Sequence, residues 1–376
     1  MTDSRIEPMP PPEVTVVMPF ADAAAHLPTA LRGLASLRYP NLRFVLVDDG
    51  SDDESPSLAR DWARGRDDAD VVTMPRRSGV AAARDAGVAA AGGEYVWFCD
   101  ADDEWDPWIV DRMVAAGPAD VVCCRAVRHE AGGRTLVMEG AIRETGLDAA
   151  GLSAEILAGR VRGYLWNKLF RREVLVAAMA DAAGRDRLSS QDDFLLLLDV
   201  ARHAQSAVLI PFLGYRYLER AGSISTGSAL RLANTATCAD AALAELPDRA
   251  AGRASGSAVG SAPRRAADQA TVREKWRRMS APATAEGFRT WFHLVPCLAT
   301  PVHQRWSAAD IAAVHRELLP RITVRSLAAA WRMGHPRVAV HGAALKILGP
   351  VGAYPMAYRT LRAAIDAAAR VRAGTR

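Results

Sequence analysis

Four short apolar runs punctuate the first hundred residues, at 14–18, 44–47, 71–74 and 94–99. β-Branched and aromatic runs of that length, bounded by Gly, Pro or acid, predict buried strands. Between them the period changes. Leu27, Leu31, Leu34 and Leu37 recur at helical intervals before Tyr39-Pro40-Asn41 stops them, and further helices are predicted at about 55–64 and 78–87. Strands and helices alternating with short links predict a parallel sheet with right-handed crossovers. After Val121-Val122-Cys123-Cys124 the pattern loosens. Gly132-Gly133 predicts a hairpin between 125–130 and 134–138, an apolar helix follows Gln191-Asp192-Asp193, and 208–211 with 215–220 predict a closing strand pair.

Two of these strands end in acid. Residues 44–47 lead into Asp48-Asp49-Gly50-Ser51-Asp52-Asp53, and 94–99 into Asp100-Ala101-Asp102-Asp103. In an open α/β sheet both clusters fall on the edge where ligands bind. Asp100 and Asp102 would share a face of an extended chain, with a bend bringing Asp103 round. Such crowding is unfavourable unless a cation or donor hydrogens compensate. A hard divalent ion that also bridges phosphate oxygens is the natural compensation. Capping of a helix that starts near Asp106-Pro107 by Asp102 or Asp103 is the plainer reading, and it accounts for one carboxylate of three. Asp52 and Asp53 ahead of Ser55-Pro56, and Asp192 at its own helix start, are expected to be caps.

The length of 376 residues allows two domains or one with an extension. Residues 249–269 are rich in Ala, Gly, Ser and Arg without periodicity, which predicts a linker. The expected organisation is a flexible start at 1–12, an α/β domain at 13–226, a helix and linker at 227–270, and a mainly helical region at 271–376. With 50% hydrophobic and 24% charged residues, the composition is that of a soluble globular protein. The net charge of +4 is too small for this length to indicate nucleic acid. No apolar run reaches the roughly 18 residues of a membrane span. Five cysteines without metal-ligand spacing, and no signal-peptide core in 1–12, point to a reducing, cytoplasmic compartment. Trp276, Trp291 and Trp306, residues 338–351 and the tail must bury against something. The tail carries Arg359, Arg362, Arg370, Arg372 and Arg376 against Asp366. It is expected to pack on the catalytic domain or a second subunit, with peripheral contact at the inner membrane face as the alternative.

Taken together in this order, these segments resemble the family-two glycosyltransferases of GT-A fold, over roughly residues 14–225. Asp48-Asp49-Gly50-Ser51 is similar to that family's nucleotide-contacting turn, and Ala83-Arg84-Asp85-Ala86-Gly87 to its Ala-Arg-Asn-x-Gly segment. Asp100-Ala101-Asp102-Asp103 resembles its metal-binding Asp-x-Asp, and Trp166-Asn167-Lys168-Leu169-Phe170 the stretch lining the sugar site in polymer-decorating members. Asp192-Asp193 falls where the family has Glu-Asp, whose second residue is the catalytic base. Tyr217, Arg220 and Ser223 resemble the segment that folds over the diphosphate.

The resemblance implies an α/β fold, a Rossmann-like, mostly parallel sheet flanked by helices with a helical extension. It also implies an inverting, metal-dependent hexosyl- or N-acetylhexosaminyl-transferase using a nucleotide-diphosphate sugar, with UDP the first choice of carrier. Mg²⁺ or Mn²⁺ would sit on Asp102 and Asp100, or Asp103 in place of Asp100. Asp48, Asp49, Arg84, Asp100 and Arg220 would bind donor. Trp166, Asn167, Lys168 and Asp192 would bind acceptor or sugar, and Asp193 would be the base. Acceptors would be glycan, lipid-linked or small-molecule hydroxyls, as in surface-glycan, teichoic-acid-like or metabolite glycosylation.

One departure stands out: Pro19-Phe20-Ala21-Asp22 replaces the family's Tyr-Asn, so the aromatic that packs on uracil is missing unless Phe20 substitutes. Two other functions remain as alternatives, a non-catalytic nucleotide-sugar-binding module and a nucleotidyltransferase. The latter would want a Gly-rich basic loop where Phe20-Ala21-Asp22-Ala23 stands.

Overall fold

The computed structural model describes residues 10–130, 133, 135–183, 191–219, 235, 237–240, 286–296, 298, 308–348 and 354. The chain divides into two compact units, Met1–Gly227 and Ser228–Arg376.

The first unit is built on a ten-stranded sheet. Its first part is β1 (Val14–Phe20), α1 (Leu27–Ala35), β2 (Leu42–Asp48), α2 (Ser55–Ala63), β3 (Ala69–Thr73), α3 (Val80–Ala90) and β4 (Tyr95–Phe98). Every residue of β1 and β4 is buried, as expected of strands covered on both faces. β1 pairs in parallel with β2 and β4, and β2 with β3, as the alternating pattern predicts. On one face Val14, Val16, Met18, Phe44 and Leu46 pack with Leu27, Ala30, Leu31 and Leu34 of α1 and Ala59 of α2. On the other lies α3. A Cβ at Gly87 would come within 2.3 Å of Val17 Cγ1, so the missing side chain lets this alanine-rich helix sit directly on the sheet.

The second part is β5 (Glu104–Trp105), α4 (Ile109–Val114), β6 (Val121–His129), β7 (Thr135–Glu139), β8 (Thr145–Asp148), α5 (Ala149–Leu157), β9 (Lys168–Arg171), α6 (Arg172–Ala182), α7 (Asp192–His203) and β10 (Ser206–Leu218). Strand order along the sheet is β3-β2-β1-β4-β9-β6-β10-β5, with β7 on β6 and β8 on β10. The predicted hairpin is present as β6 and β7. β9 enters antiparallel between β4 and β6, so its first residue, Lys168, lies at the edge where β4 ends.

The predicted closing strand pair is corrected. Residues 206–218 form one strand that runs parallel to β6, with register shifts between Leu209, Leu213 and Tyr215. Pro211 lacks a ladder N–H and Gly214 is a weak strand former, so the segment breaks the pattern without ending the strand.

In the second unit the described elements are a π-helical turn (Arg289–Leu294), α8 (Ala308–Leu318), α9 (Val324–Arg332) and α10 (Pro336–Leu348). Its core gathers Leu294, Val295, Leu298, Leu318, Leu319, Ile322, Leu345 and Tyr354. The apolar stretch expected at 338–351 is largely α10. Trp276, Trp306, the side chain of Trp291, the tail 358–376, and Arg220 with Ser223 lie outside the described residues.

Candidate active site

The two acid clusters lie at the C-terminal ends of β2 and β4, on one edge of the sheet, with β1 between them. Their carboxylates have different surroundings. Asp48 is buried and accepts the Ser51 N–H at 2.9 Å, closing its own turn. Both oxygens of Asp49 are engaged, by Ser78 N–H at 2.7 Å and Gly79 N–H at 2.8 Å. Gly79 is the N-cap of α3, so Asp49 satisfies donors at that helix start from a neighbouring strand. Gly50, at φ +69, has room for no side chain: a Cβ would meet Arg77 N at 2.6 Å.

The second cluster forms a turn, with Asp103 N–H donating to the Asp100 carbonyl at 3.2 Å. The expectation that Asp100 and Asp102 share a face is therefore corrected, since the chain bends before the alternation of an extended strand can operate. Asp100 accepts from Arg84 Nη2 at 3.0 Å, on the α3 side. Asp102 is partly buried and lines a cavity of about 60 Å³ with His26, Thr29, Ala30, Ala101, Asp103, Glu104 and Leu218. Asp103 is buried and accepts from the Tyr215 hydroxyl at 3.0 Å and from Leu218 N–H at 2.8 Å. Burial, reinforced by Asp100 and Asp102, pushes its carboxyl well above the usual range. Neither Asp102 nor Asp103 caps the helix that follows. The N-cap is Trp108, without a side-chain cap bond, and Asp106 accepts the Trp108 N–H at 2.9 Å just ahead of the helix.

Tyr215 was missed as a site residue. Its hydroxyl donates to Asp103 and accepts the Asp100 N–H at 3.1 Å, tying the acidic turn to β10. The sequence signal was slight, a tyrosine in an apolar run with a polar tip that needs a partner once buried.

Asp193 stands in the first turn of α7, partly buried. Its carboxyl is pushed up chiefly by burial, with Asp100 adding to the rise and the Arg84 and Lys168 charges and the Phe194 N–H opposing it. Three predicted residues from separate segments, Arg84, Asp100 and Lys168, thus all act on Asp193. Arg84 is only 9% exposed, and its Nε has no partner among the described residues. Asp192 shares the first turn of α7 instead of capping it; the N-cap is Gln191, at φ 73. Gly163, not singled out in the sequence, packs against this turn. A Cβ there would lie 2.6 Å from both Cα and Cβ of Phe194.

The expected sugar-lining segment needs correction. Trp166 is 4% exposed and stacks on Tyr164 at 4.8 Å and Tyr215 at 4.3 Å between centroids, so its ring belongs to the core. Asn167 is fully buried and donates from Nδ2 to the Cys124 carbonyl at 2.9 Å. Lys168 is fully buried too, with Nζ donating to Tyr164 O at 2.7 Å and Asn167 Oδ1 at 2.8 Å. For Lys168 the reason is positional, because it opens β9, which lies between two strands; Trp166 and Asn167 precede that strand and are held by the stacking and the Cys124 bond. Phe20 is likewise core, 4% exposed, and cannot replace the missing stacking aromatic, whereas Ala21 is exposed.

Among the described residues no three His, Cys, Asp or Glu side chains are grouped as a metal cage. What the turn offers a cation is Asp102 with Asp100 nearby. A donor set of one or two carboxylates suits Mg²⁺ or Mn²⁺ completed by water and substrate phosphate.

Residues 15–175 match the family described as glycosyl transferase family 2. EpsH of Bacillus subtilis (strain 168) is 30% identical over 190 residues, covering 49% of this chain and 54% of EpsH. The cholesterol galactosyltransferase of Borreliella burgdorferi is 24% identical over 231 residues, covering 57% of this chain and 62% of that protein. The chain spans about half the length of the first curated relatives it matches. Among solved structures, S. aureus TarS 1-349 in complex with UDP-GlcNAc aligns with a TM-score of 0.60 at 15% identity, over 90% of this chain and 92% of TarS 1-349. That likeness is one of fold, a central sheet flanked by helices with helices following. With the family match spanning strands β1 to β9 and the acidic turn at the strand ends, residues 15–175 of the first unit are similar to a family 2 glycosyltransferase domain.

Proposed function

We propose that this domain transfers a hexosyl or N-acetylhexosaminyl group from a nucleotide-diphosphate sugar to a hydroxyl acceptor, with inversion at the anomeric carbon. The observation that carries the proposal is the convergence of Asp193, Arg84, Lys168 and Asp100 at one sheet edge. The acceptor hydroxyl must lose a proton as it attacks, and Asp193 is the group held to receive it. Its pKa, raised chiefly by burial, suits that role by making it a stronger base than an ordinary carboxylate. The Arg84 and Lys168 charges keep it from rising further, and Arg84 would meet the diphosphate charge as it grows. Asp102, with Asp100, would hold Mg²⁺ or Mn²⁺, which when bound neutralises the leaving diphosphate. Asp48 and Asp49 shape the turn that would face base and ribose, and Asp192 would face the acceptor.

A UDP-linked donor and a surface-glycan, teichoic-acid-like or metabolite acceptor are the first choices to test. In support, the TarS 1-349 structure is described as a complex with UDP-GlcNAc. The test is Asp193→Asn. Turnover, or donor hydrolysis without acceptor, should fall by about 10²-fold or more with donor affinity little changed. In the unaltered enzyme, activity should be lost as pH falls through the pKa of Asp193. Because burial raises that pKa, the acid limb should lie above the ordinary carboxylate range. Near-normal turnover in the variant would remove Asp193 from the role.

A further inference from the structure

Helices α9 and α10 of the second unit carry a surface that neither the core of that unit nor the proposed transfer reaction explains. On α9, Val324, Ala328 and Trp331 fall on one side at spacings of four and three and are exposed, Val324 by 86% and Trp331 by 56%. On α10, Val340 and Ile347 repeat at a spacing of seven and are exposed by 62% and 71%. The opposite sides of the two helices are spent on the unit's own core, through Ala329, Ala330, Ala339 and Leu345. Four large apolar side chains in water on two packed helices cost the free protein solvation that folding has not recovered.

The charges beside them have one sign. Arg325 and Arg332 flank the apolar side of α9, and Arg337 and Lys346 that of α10. Arg325 pairs with Glu286 at 3.2 Å. Among the described residues no carboxylate lies within ion-pair distance of Arg332 or Arg337, and Lys346 donates to the Leu319 carbonyl at 3.1 Å. From residue 318 to 365 the sequence contains no Asp or Glu and seven Arg or Lys. An ordinary solvated helix face mixes both signs; this one is cationic and apolar together.

We infer that the exposed side of α9 and α10 docks on an anionic lipid surface. Trp331, Val324, Val340 and Ile347 would enter the headgroup boundary, and Arg332 and Arg337 would lie among the headgroups. The pairing of functions decides the occupant. A nucleic acid would use the arginines and leave the apolar side chains in water, whereas a second copy of the same cationic face would repel itself. No helix among the described residues is long and apolar enough to cross a membrane, so the contact is one of lying on the surface. The inference concerns the second unit and stands whether or not the proposed transfer does.

The test is sedimentation of the full chain with vesicles of phosphatidylcholine alone and with about one third phosphatidylglycerol, at low and at high salt. The intact protein should bind only the anionic vesicles, and more weakly as salt rises. Arg332→Gln and Arg337→Gln should each lower the partition coefficient about five-fold and together about 30-fold. Trp331→Ala should lower it about ten-fold or more. All three side chains are exposed, so circular dichroism and melting should be unchanged. Three results would overturn the inference. One is no binding to anionic vesicles at low salt. Another is loss in the arginine variants with none in Trp331→Ala, the mark of adsorption to any polyanion. The third is a dimer in solution that Trp331→Ala converts to monomer, which would make the face a contact between copies.

Discussion

At the scale of single residues, the informative contrast is among Asp100, Asp102 and Asp103, which the sequence presents as near equivalents. Their surroundings separate them: an ion pair with Arg84, a small cavity beside α1, and a buried pair of hydrogen bonds from β10. Only position in three dimensions distinguishes such neighbours, because burial and donors set what a carboxylate can do. The same holds for Trp166, where an aromatic that could line a sugar site is stacked in the core. Gly163 offers a direct test of how tightly the site is held. The added methyl of Gly163→Ala would overlap the backbone of Phe194, so the first turn of α7 must shift and carry Asp193 with it. Overpacking of this kind costs about 1–3 kcal/mol. Turnover should fall about ten-fold or more while the Kd for donor changes little, since a misplaced base loses reaction geometry before binding. Measuring kcat and donor affinity side by side checks this, and an equal loss in both would show that Gly163 supports the fold generally.

At the scale of elements, the strands and helices of the first hundred residues were legible because each obeys one period. Strand β1 is a continuous apolar run and α1 a leucine repeat, and neither needs distant contacts to declare itself. Strand β10 was not legible as one strand, since Pro211 and Gly214 read as breaks although β6 continues to pair across them. The entry to helix α3 depends on a long-range partner as well, the N–H groups of Ser78 and of its N-cap Gly79 being held by Asp49 across 29 and 30 residues of chain. Asp49→Ala should therefore lower the stability of the ligand-free protein by about 1–2 kcal/mol, read as a fall in Tm. Asp49→Asn, which keeps one acceptor, should recover part of it. An unchanged Tm in Asp49→Ala would leave this carboxylate as a ligand contact and nothing more.

At the scale of the whole molecule, the prediction concerns what completes the acidic turn. Two carboxylates near one another, with no third ligand grouped beside them among the described residues, suit a cation brought in with its nucleotide. Calorimetry with UDP and Mn²⁺ should show affinity reduced about ten-fold or more by chelator, and by Asp102→Ala to a similar degree. Equal affinity with and without metal would remove the ion from the proposed mechanism. Sequence by itself determined the alternation of strands and helices, the placement of two acid clusters at strand ends, and the family resemblance, because periodicity and short motifs are local properties of the chain. Tertiary structure decided which acid faces Arg84, which is sealed against Tyr215, that β9 is inserted antiparallel with Trp166 and Asn167 inside, and that α7 brings Asp193 to the edge where β4 ends. Those outcomes depend on which surfaces of distant segments are buried against one another, and no stretch of sequence contains both partners.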